Sequence, residues 1–193
     1  MLKDLKKISG LTSIKDSNSF YESFFIKEDI INILRELKEN ELFSFDQLID
    51  ITAIDYPSKE NRFELIYILL SMKKNKRIIL KTLVNENDSI DSIIQIFKAS
   101  DWYERECYDL FGIKFNNHPD LRRIMTDYNF EGHPLRKDFP LTGHTEVRYS
   151  EDKKKVIKEP VKLEQNYRNF DYESPWEGTS YIKELTDTND KKN

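Results

Sequence analysis

Between Arg62 and Met72 an extended chain would carry Phe63, Leu65, Tyr67 and Leu69 on one face and Ile66, Ile68 and Leu70 on the other. A strand apolar on both faces belongs inside a sheet with cover on each side, so this segment predicts a central strand. The longest apolar stretch of the chain, Leu65 to Ser71, is strand-sized. It falls well short of the roughly 18 residues needed to cross a bilayer.

Other elements arrange themselves around that strand. Ile49 to Tyr56 carries Ile51, Ala53 and Ile54 and stops at Pro57; Lys76 to Val84 follows the polar turn Lys73-Lys-Asn-Lys76, the connection of a hairpin. Aromatic-rich Ser19 to Ile26 predicts another strand. Ile30, Ile33, Leu34 and Leu37 recur at helical steps within Glu28 to Lys38, with Glu28 and Asp29 in the first turn, where acids suit the dipole. Leu2, Leu5 and Ile8 predict a short helix within residues 1–16. A longer helical region is expected from Ser89 to about Phe111, on Ile90, Ile93, Ile94 and Phe97 and then Trp102 or Tyr103, Cys107, Leu110 and Phe111, with Gly112 as its stop. This order predicts an α+β fold, helices packed on a mixed or antiparallel sheet.

The pattern changes near Gly143, dividing a globular domain, 1–143, from an extended C-terminal arm, 144–193. The arm keeps single apolar anchors, among them Val147, Tyr149, Val156, Ile157, Phe170 and Trp176, at neither strand nor helix period. So many aromatic residues do not suit a solvated tail, and so little period does not suit a self-sufficient core. An arm lying on another protein, with a polar end from Asp187 to Asn193, reconciles the two.

Several functions fit poorly. A net charge of -4, from 31 basic and 35 acidic residues, offers no field for steering nucleic acid, and Lys153-Lys-Lys155 is flanked by acids. A single cysteine, Cys107, cannot hold a Cys-rich zinc site or an iron–sulfur cluster alone. His118, His133 and His144 each sit beside Pro or Gly at spacings matching no compact ligand motif, which leaves a metal-dependent enzyme as a minor alternative. No Gly-rich phosphate loop is visible.

The most informative stretch is Trp102-Tyr-Glu-Arg-Glu-Cys-Tyr-Asp-Leu-Phe-Gly-Ile113, where Arg105 and Asp109 stand four apart and can pair on a helix. It is followed by His118-Pro-Asp-Leu-Arg-Arg-Ile-Met125 and by Thr126-Asp-Tyr-Asn-Phe-Glu-Gly-His-Pro-Leu-Arg-Lys-Asp-Phe-Pro-Leu141. Together with Phe45 to Pro57, Asn61 to Ser71, Glu159-Pro-Val161 and Phe170-Asp-Tyr-Glu-Ser-Pro-Trp-Glu177, this closely resembles the 30 kDa subunit family of respiratory complex I, NADH:ubiquinone oxidoreductase. The resemblance runs from residue 20 to about 178.

That resemblance implies a non-catalytic core subunit of the hydrophilic arm, needed for assembly and for holding the quinone-reducing module. It implies no cofactor in this chain, with FMN and iron–sulfur clusters in partner subunits. The 49 kDa-type subunit and the neighbouring iron–sulfur subunits would be the partners, without nucleic acid or a membrane span. Glu104, Arg105, Glu106 and Asp109 would form an ion network at a subunit junction. His118, Arg122, Arg123, Arg136, Lys137, Asp138, Phe170 and Trp176 would join the assembly surface, the basic residues pairing with partner carboxylates. An equivalent scaffold subunit of a membrane-bound hydrogenase is the alternative. The N-terminus has neither an apolar signal core nor the Arg-rich, acid-poor character of a transit peptide. Lys outnumbers Arg 22 to 9 and only two alanines occur. With a tail most like the mitochondrial form, this predicts an organelle-encoded chain on the matrix side of the mitochondrial inner membrane.

Overall fold

The computed structural model describes residues 2–17 and 20–162. The chain divides into two compact units, Met1–His144 and Thr145–Asn193. The first contains α1 (Leu2–Leu5), β1 (Leu11–Ser17), β2 (Phe20–Phe25), α2 (Ile30–Glu39), β3 (Gln47–Asp55), β4 (Phe63–Ser71), β5 (Lys76–Val84), β6 (Ser89–Asp91), α3 (Ser100–Phe111) and β7 (Lys114–Asn116). The second contains β8 (Thr145–Ser150) and β9 (Lys155–Pro160).

The fold is α+β, as expected. Its main sheet runs in the order β1-β2-β5-β4-β3 and is mixed: β2 and β5 are parallel and the other neighbours antiparallel. The predicted hairpin is β4–β5. Asn75 takes the left-handed conformation in its turn (φ 49°), which Asn tolerates better than most residues.

One face of the sheet carries the core. Register aligns Ser23, Leu80, Tyr67 and Ile51 across four strands, and all four are buried. Ile30, Ile33, Leu34 and Leu37 of α2 join the same cluster. Helix α3 lies against β3, where the Cys107 thiol donates to the Ile51 carbonyl at 3.2 Å. Cys107 is therefore a core residue, and burial pushes its thiol well above the usual range.

Three expectations need correction. The opposite face of β4 is only partly covered: Ile66 is buried and Ile68 and Leu70 half-buried, while Ile54 and Leu83 on the flanking strands are exposed. Lys81 stands directly across from Ile66 and bridges Glu22 and Glu64 at 2.7 and 3.3 Å, so its aliphatic stem shields a face that remains wet. The N-terminal helix is four residues long, and the chain turns at Gly10 (φ +85°) into β1. The region from Ser89 is not one helix. Residues Ser89–Asp91 pair with β7 in parallel, the Ser92 N–H goes to the Asn116 carbonyl, and the Ile93 N–H goes to Glu104. Ile90, Ile93 and Phe97 are all buried, so their spacing reports burial of an irregular segment.

In the second unit β8 and β9 form an antiparallel hairpin, a regular element where the sequence showed none. Register puts Val147, Tyr149 and Val156 on one of its faces, and all three are exposed.

Tyr67 is wholly buried, and among the described residues its hydroxyl has no hydrogen-bond partner. Tyr67→Phe is therefore expected to leave stability unchanged or to raise it by up to about 1–3 kcal/mol, the usual cost of an unsatisfied buried group. Urea denaturation should show the midpoint moving upward at constant slope. A loss beyond about 1 kcal/mol would mean that the hydroxyl makes a stabilising bond.

Candidate functional site

The segment between β7 and β8 has no regular structure, yet it is pinned to α3. Its anchor is Asp109, whose side chain is fully buried. One carboxylate oxygen accepts three successive backbone N–H groups, from Ile124 at 3.0 Å, Met125 at 2.7 Å and Thr126 at 2.9 Å. The other accepts the Thr126 hydroxyl at 2.6 Å and an Arg123 N–H at 3.1 Å. Consecutive N–H groups converging on one oxygen form an anion nest. Burial alone would raise the Asp109 carboxyl, but the Thr126 hydroxyl and the three N–H groups outweigh it and hold the group below its usual range.

The same segment caps the helix end. The last four carbonyls of an α-helix lack partners within the helix. Here the Tyr108 carbonyl receives the Gly112 N–H, Asp109 the His133 Nδ1–H at 2.8 Å, Leu110 the Leu135 N–H, and Phe111 the Arg136 Nε–H at 2.6 Å. Gly112 permits this cap. Its φ is +80°, and a Cβ there would meet His133 Nε2 at 2.7 Å and collide with the Arg136 guanidinium. Burial keeps His133 below the usual histidine range.

A second clamp closes around Asp55 at the end of β3. Arg62 grips it in a two-pronged pair, Nε to Oδ1 at 2.8 Å and Nη2 to Oδ2 at 3.0 Å, and the Lys137 backbone N–H adds a bond of 2.7 Å. Arg62 also reaches Asp138 at 2.8 Å and Glu86 at 3.4 Å, and Glu86 pairs in turn with Arg136. Asp55 is held below the usual carboxylate range, chiefly by Arg62, and Arg62 is pushed upward by Asp55 and Asp138.

Glu104 occupies the buried side of α3. Its Oε1 accepts the Ile93 N–H at 2.8 Å, and its Oε2 lies 3.9 Å from His118 Nε2. Burial raises the Glu104 carboxyl above its usual range. The His118 Nδ1 accepts the Asp120 N–H, which leaves Nε2–H to donate to the Asp101 carbonyl at 3.3 Å.

The charged residues expected to face a partner thus largely serve this chain. Asp109, Arg123, Arg136 and Asp138 belong to the two clamps through their side chains, and Lys137 through its backbone N–H alone, its side chain being exposed. Glu104 and His118 are interior, and Glu106 is half-buried beside Asp50 and Thr52 of β3. The expected Arg105–Asp109 pair does not form. Asp109 turns inward to the nest, where five donors outmatch one guanidinium, while the half-buried Arg105 donates to the Arg122 carbonyl. Arg122 is exposed and pairs with Asp120. Phe170 and Trp176 lie outside the described residues. Sequence reasoning missed Asp55, Arg62, Glu86 and Thr126. Asp55 continues the inward alternation Ile51, Ala53, and an acid in register with a core demands a partner.

Large apolar side chains of α3 and of the pinned segment stand in solvent among charged ones. Trp102, Met125, Tyr128 and Leu141 are 64%, 62%, 101% and 90% exposed.

The family described as "Respiratory-chain NADH dehydrogenase, 30 Kd subunit" matches residues 25–145. The C subunit of NADH-quinone oxidoreductase from Chelativorans sp. (strain BNC1) is 54% identical over 80% of this chain and 77% of its own length. The corresponding protein of Parvibaculum lavamentivorans is 50% identical over 80% and 78%. A chain from the solved membrane-bound sulfane sulfur reductase, an archaeal respiratory membrane complex, superposes with a TM-score of 0.63 at 26% identity, covering 81% of this chain and 96% of that one.

Asp109→Asn is expected to cost about 3–5 kcal/mol, since it leaves Arg123 and part of the nest uncompensated. Its folded pKa is depressed, so its contribution is complete above the ordinary aspartate range near pH ~4 and is lost as pH falls through the folded value. Asp55 acts in the same direction. Glu104, with a raised folded pKa, contributes most when protonated and loses that contribution as pH rises. Denaturation across the acid range should give a shallower acid limb in Asp109→Asn than in the parent chain. Gly112→Ala should cost at least about 1–3 kcal/mol from the left-handed backbone alone, and an unchanged melting temperature would contradict the cap.

Proposed function

The chain belongs to the family of the 30 kDa subunit of respiratory-chain NADH dehydrogenase, and from that premise we propose that it works as a scaffold, joining subunits of the complex without chemistry of its own. It is a core subunit of NADH-quinone oxidoreductase, in the peripheral arm of complex I. Its partners are other subunits of that complex. The observation that carries the scaffold role is the pairing of a firmly tethered irregular segment with large apolar side chains in water. Exposed apolar area of this kind marks an interaction surface, and tethering it beforehand lowers the entropy cost of binding.

On this reading the flavin and iron–sulfur clusters sit in partner subunits, and the 49 kDa-type subunit and the neighbouring iron–sulfur subunits receive the surface. The lone buried thiol and the three histidines, engaged with backbone and aromatic neighbours, support a chain that holds rather than reacts. The identity of 54% to the Chelativorans protein, over 80% of this chain, supports the complex I reading over a hydrogenase-type scaffold. No helix among the described residues is long and apolar enough to cross a membrane, which accords with attachment through partners. The mitochondrial and organelle-encoded origin has only residue bias and tail likeness behind it, and both Chelativorans and Parvibaculum are bacteria.

The division into a domain, 1–143, and a partner-wrapping arm, 144–193, belongs to the same proposal. Its support is the hairpin β8–β9. Two strands alone are marginally stable in water, and the exposed Val147, Tyr149 and Val156 would gain from cover.

Two measurements test these points. Leu141→Asp, at a fully solvated position, should fold normally and reduce assembled complex on native gels, in the manner of an interface residue worth ~1–2 kcal/mol. NADH:quinone turnover per assembled complex should be unchanged; normal assembly with abolished turnover would refute the scaffold role. Limited proteolysis should cut the arm in the free chain and spare it in the complex, and equal cleavage in both would remove the arm.

A further inference from the structure

The outer face of α3 and the segment over it enclose a groove of about 500 Å³. Trp102, Arg105, Tyr108, Arg122, Ile124 and Tyr128 line it. Among the described residues no carboxylate lines it, although three guanidinium groups do, counting Arg123. Two of these cations are already answered: Arg122 by Asp120, at 2.7 and 2.9 Å, and Arg123 by Asp109. Arg105 is different. Its guanidinium stacks 5.5 Å from the Trp102 ring centre, and its Nε donates to the Arg122 carbonyl at 3.0 Å. Among the described residues no carboxylate lies within ion-pair distance of it.

A guanidinium fixed by a ring on one side and a carbonyl on another has its orientation set in advance, and its remaining N–H groups suit two-pronged binding of a carboxylate. The ring beside it lowers the dielectric and strengthens such a bond. Trp, Tyr and Arg together are the residue types that most often dominate interface energies. The groove therefore offers, beside Trp102, Ile124 and Tyr128, a guanidinium that has no ion pair among the described residues and only the longer-range influence of Asp120, which is itself paired with Arg122.

We propose that this groove receives an acidic segment of a neighbouring subunit, with an Asp or Glu carboxylate on Arg105 and an adjacent apolar side chain between Trp102 and Tyr128. This rests on the scaffold reading and names the partner chemistry of its surface. The occupant is a polypeptide because aromatic and aliphatic side chains line the groove beside the one guanidinium without an ion pair among the described residues. A free anion would leave Trp102 and Tyr128 in water.

The test uses the whole complex purified through a tag on this chain, carrying Tyr128→p-benzoylphenylalanine. Irradiation followed by mass spectrometry should give adducts on a neighbouring subunit, in a peptide bearing Asp or Glu next to an apolar residue. Arg105→Gln should lower the adduct yield per complex about tenfold, as loss of one member of a desolvated charge pair would. Arg105→Lys, which keeps the charge but not the fork, should lower it less. Replacing the partner's acid by its amide in the parent background should reproduce the Arg105→Gln loss, and combining the two should add little to it. Adducts confined to this chain, to lipid or to nucleic acid would overturn the proposal. So would adducts on a partner peptide whose yield ignores Arg105. If the tagged chain brings down no other subunit, the scaffold reading itself fails; if it brings down the complex while the adducts lie elsewhere, only the groove assignment fails.

Discussion

A carboxylate with five donors holds this structure's unusual part in place. Asp109 gathers the N–H groups of Ile124, Met125 and Thr126, the Thr126 hydroxyl and Arg123. The long segment between β7 and β8 makes no ladder, so its backbone groups need partners from elsewhere. A buried anion can serve several at once, and each charge-assisted bond is stronger than a neutral one. Burial works against the charge, yet the donors prevail and hold the carboxyl below its usual range.

Helix α3 and its overlying segment complete each other. The helix ends in four carbonyls; its own cap residue Gly112 meets the first, and the segment supplies His133, Leu135 and Arg136 to meet the other three. The segment in turn lacks partners that Asp109 and Asp55 provide. Arg136 spans both clamps, bonding the Phe111 carbonyl and pairing with Glu86, which also meets Arg62. With its backbone groups satisfied inward, an irregular segment becomes a shaped surface on which Met125, Tyr128 and Leu141 stand exposed among charged side chains.

The contrast between α2 and α3 shows what could be read in advance. Helix α2 is legible because its burial follows the helical period, Ile30, Ile33, Leu34 and Leu37. The signature residues were legible as important through family resemblance, but their partners were not. Asp109 meets donors 14 to 17 positions away, and Lys137 meets Asp55 across 82. Local spacing favoured Arg105 with Asp109, four apart, and local spacing carries no information about a nest made by a distant loop. The stretch from Ser89 misled for a related reason: Ile90, Ile93 and Phe97 share helical spacing, but the Ile93 N–H is taken by Glu104, which removes it from any helical ladder.

By itself the sequence determined strands β2 to β5 of the main sheet, the core helix α2, the α+β class and the family, because these depend on short-range alternation and on motif spacing along the chain; β1 was read as part of a helical stretch. It also marked Cys107 as core. Tertiary structure alone decided the parallel pairing of β2 with β5, the two carboxylate clamps and the direction in which the signature charges point. Pairing energies between charges depend on burial and on distance through space, and neither is a function of separation along the chain. Folding therefore made Asp109, Arg123 and Arg136 internal fastenings, and left Arg105, stacked on Trp102, as the groove's cation without an ion pair among the described residues.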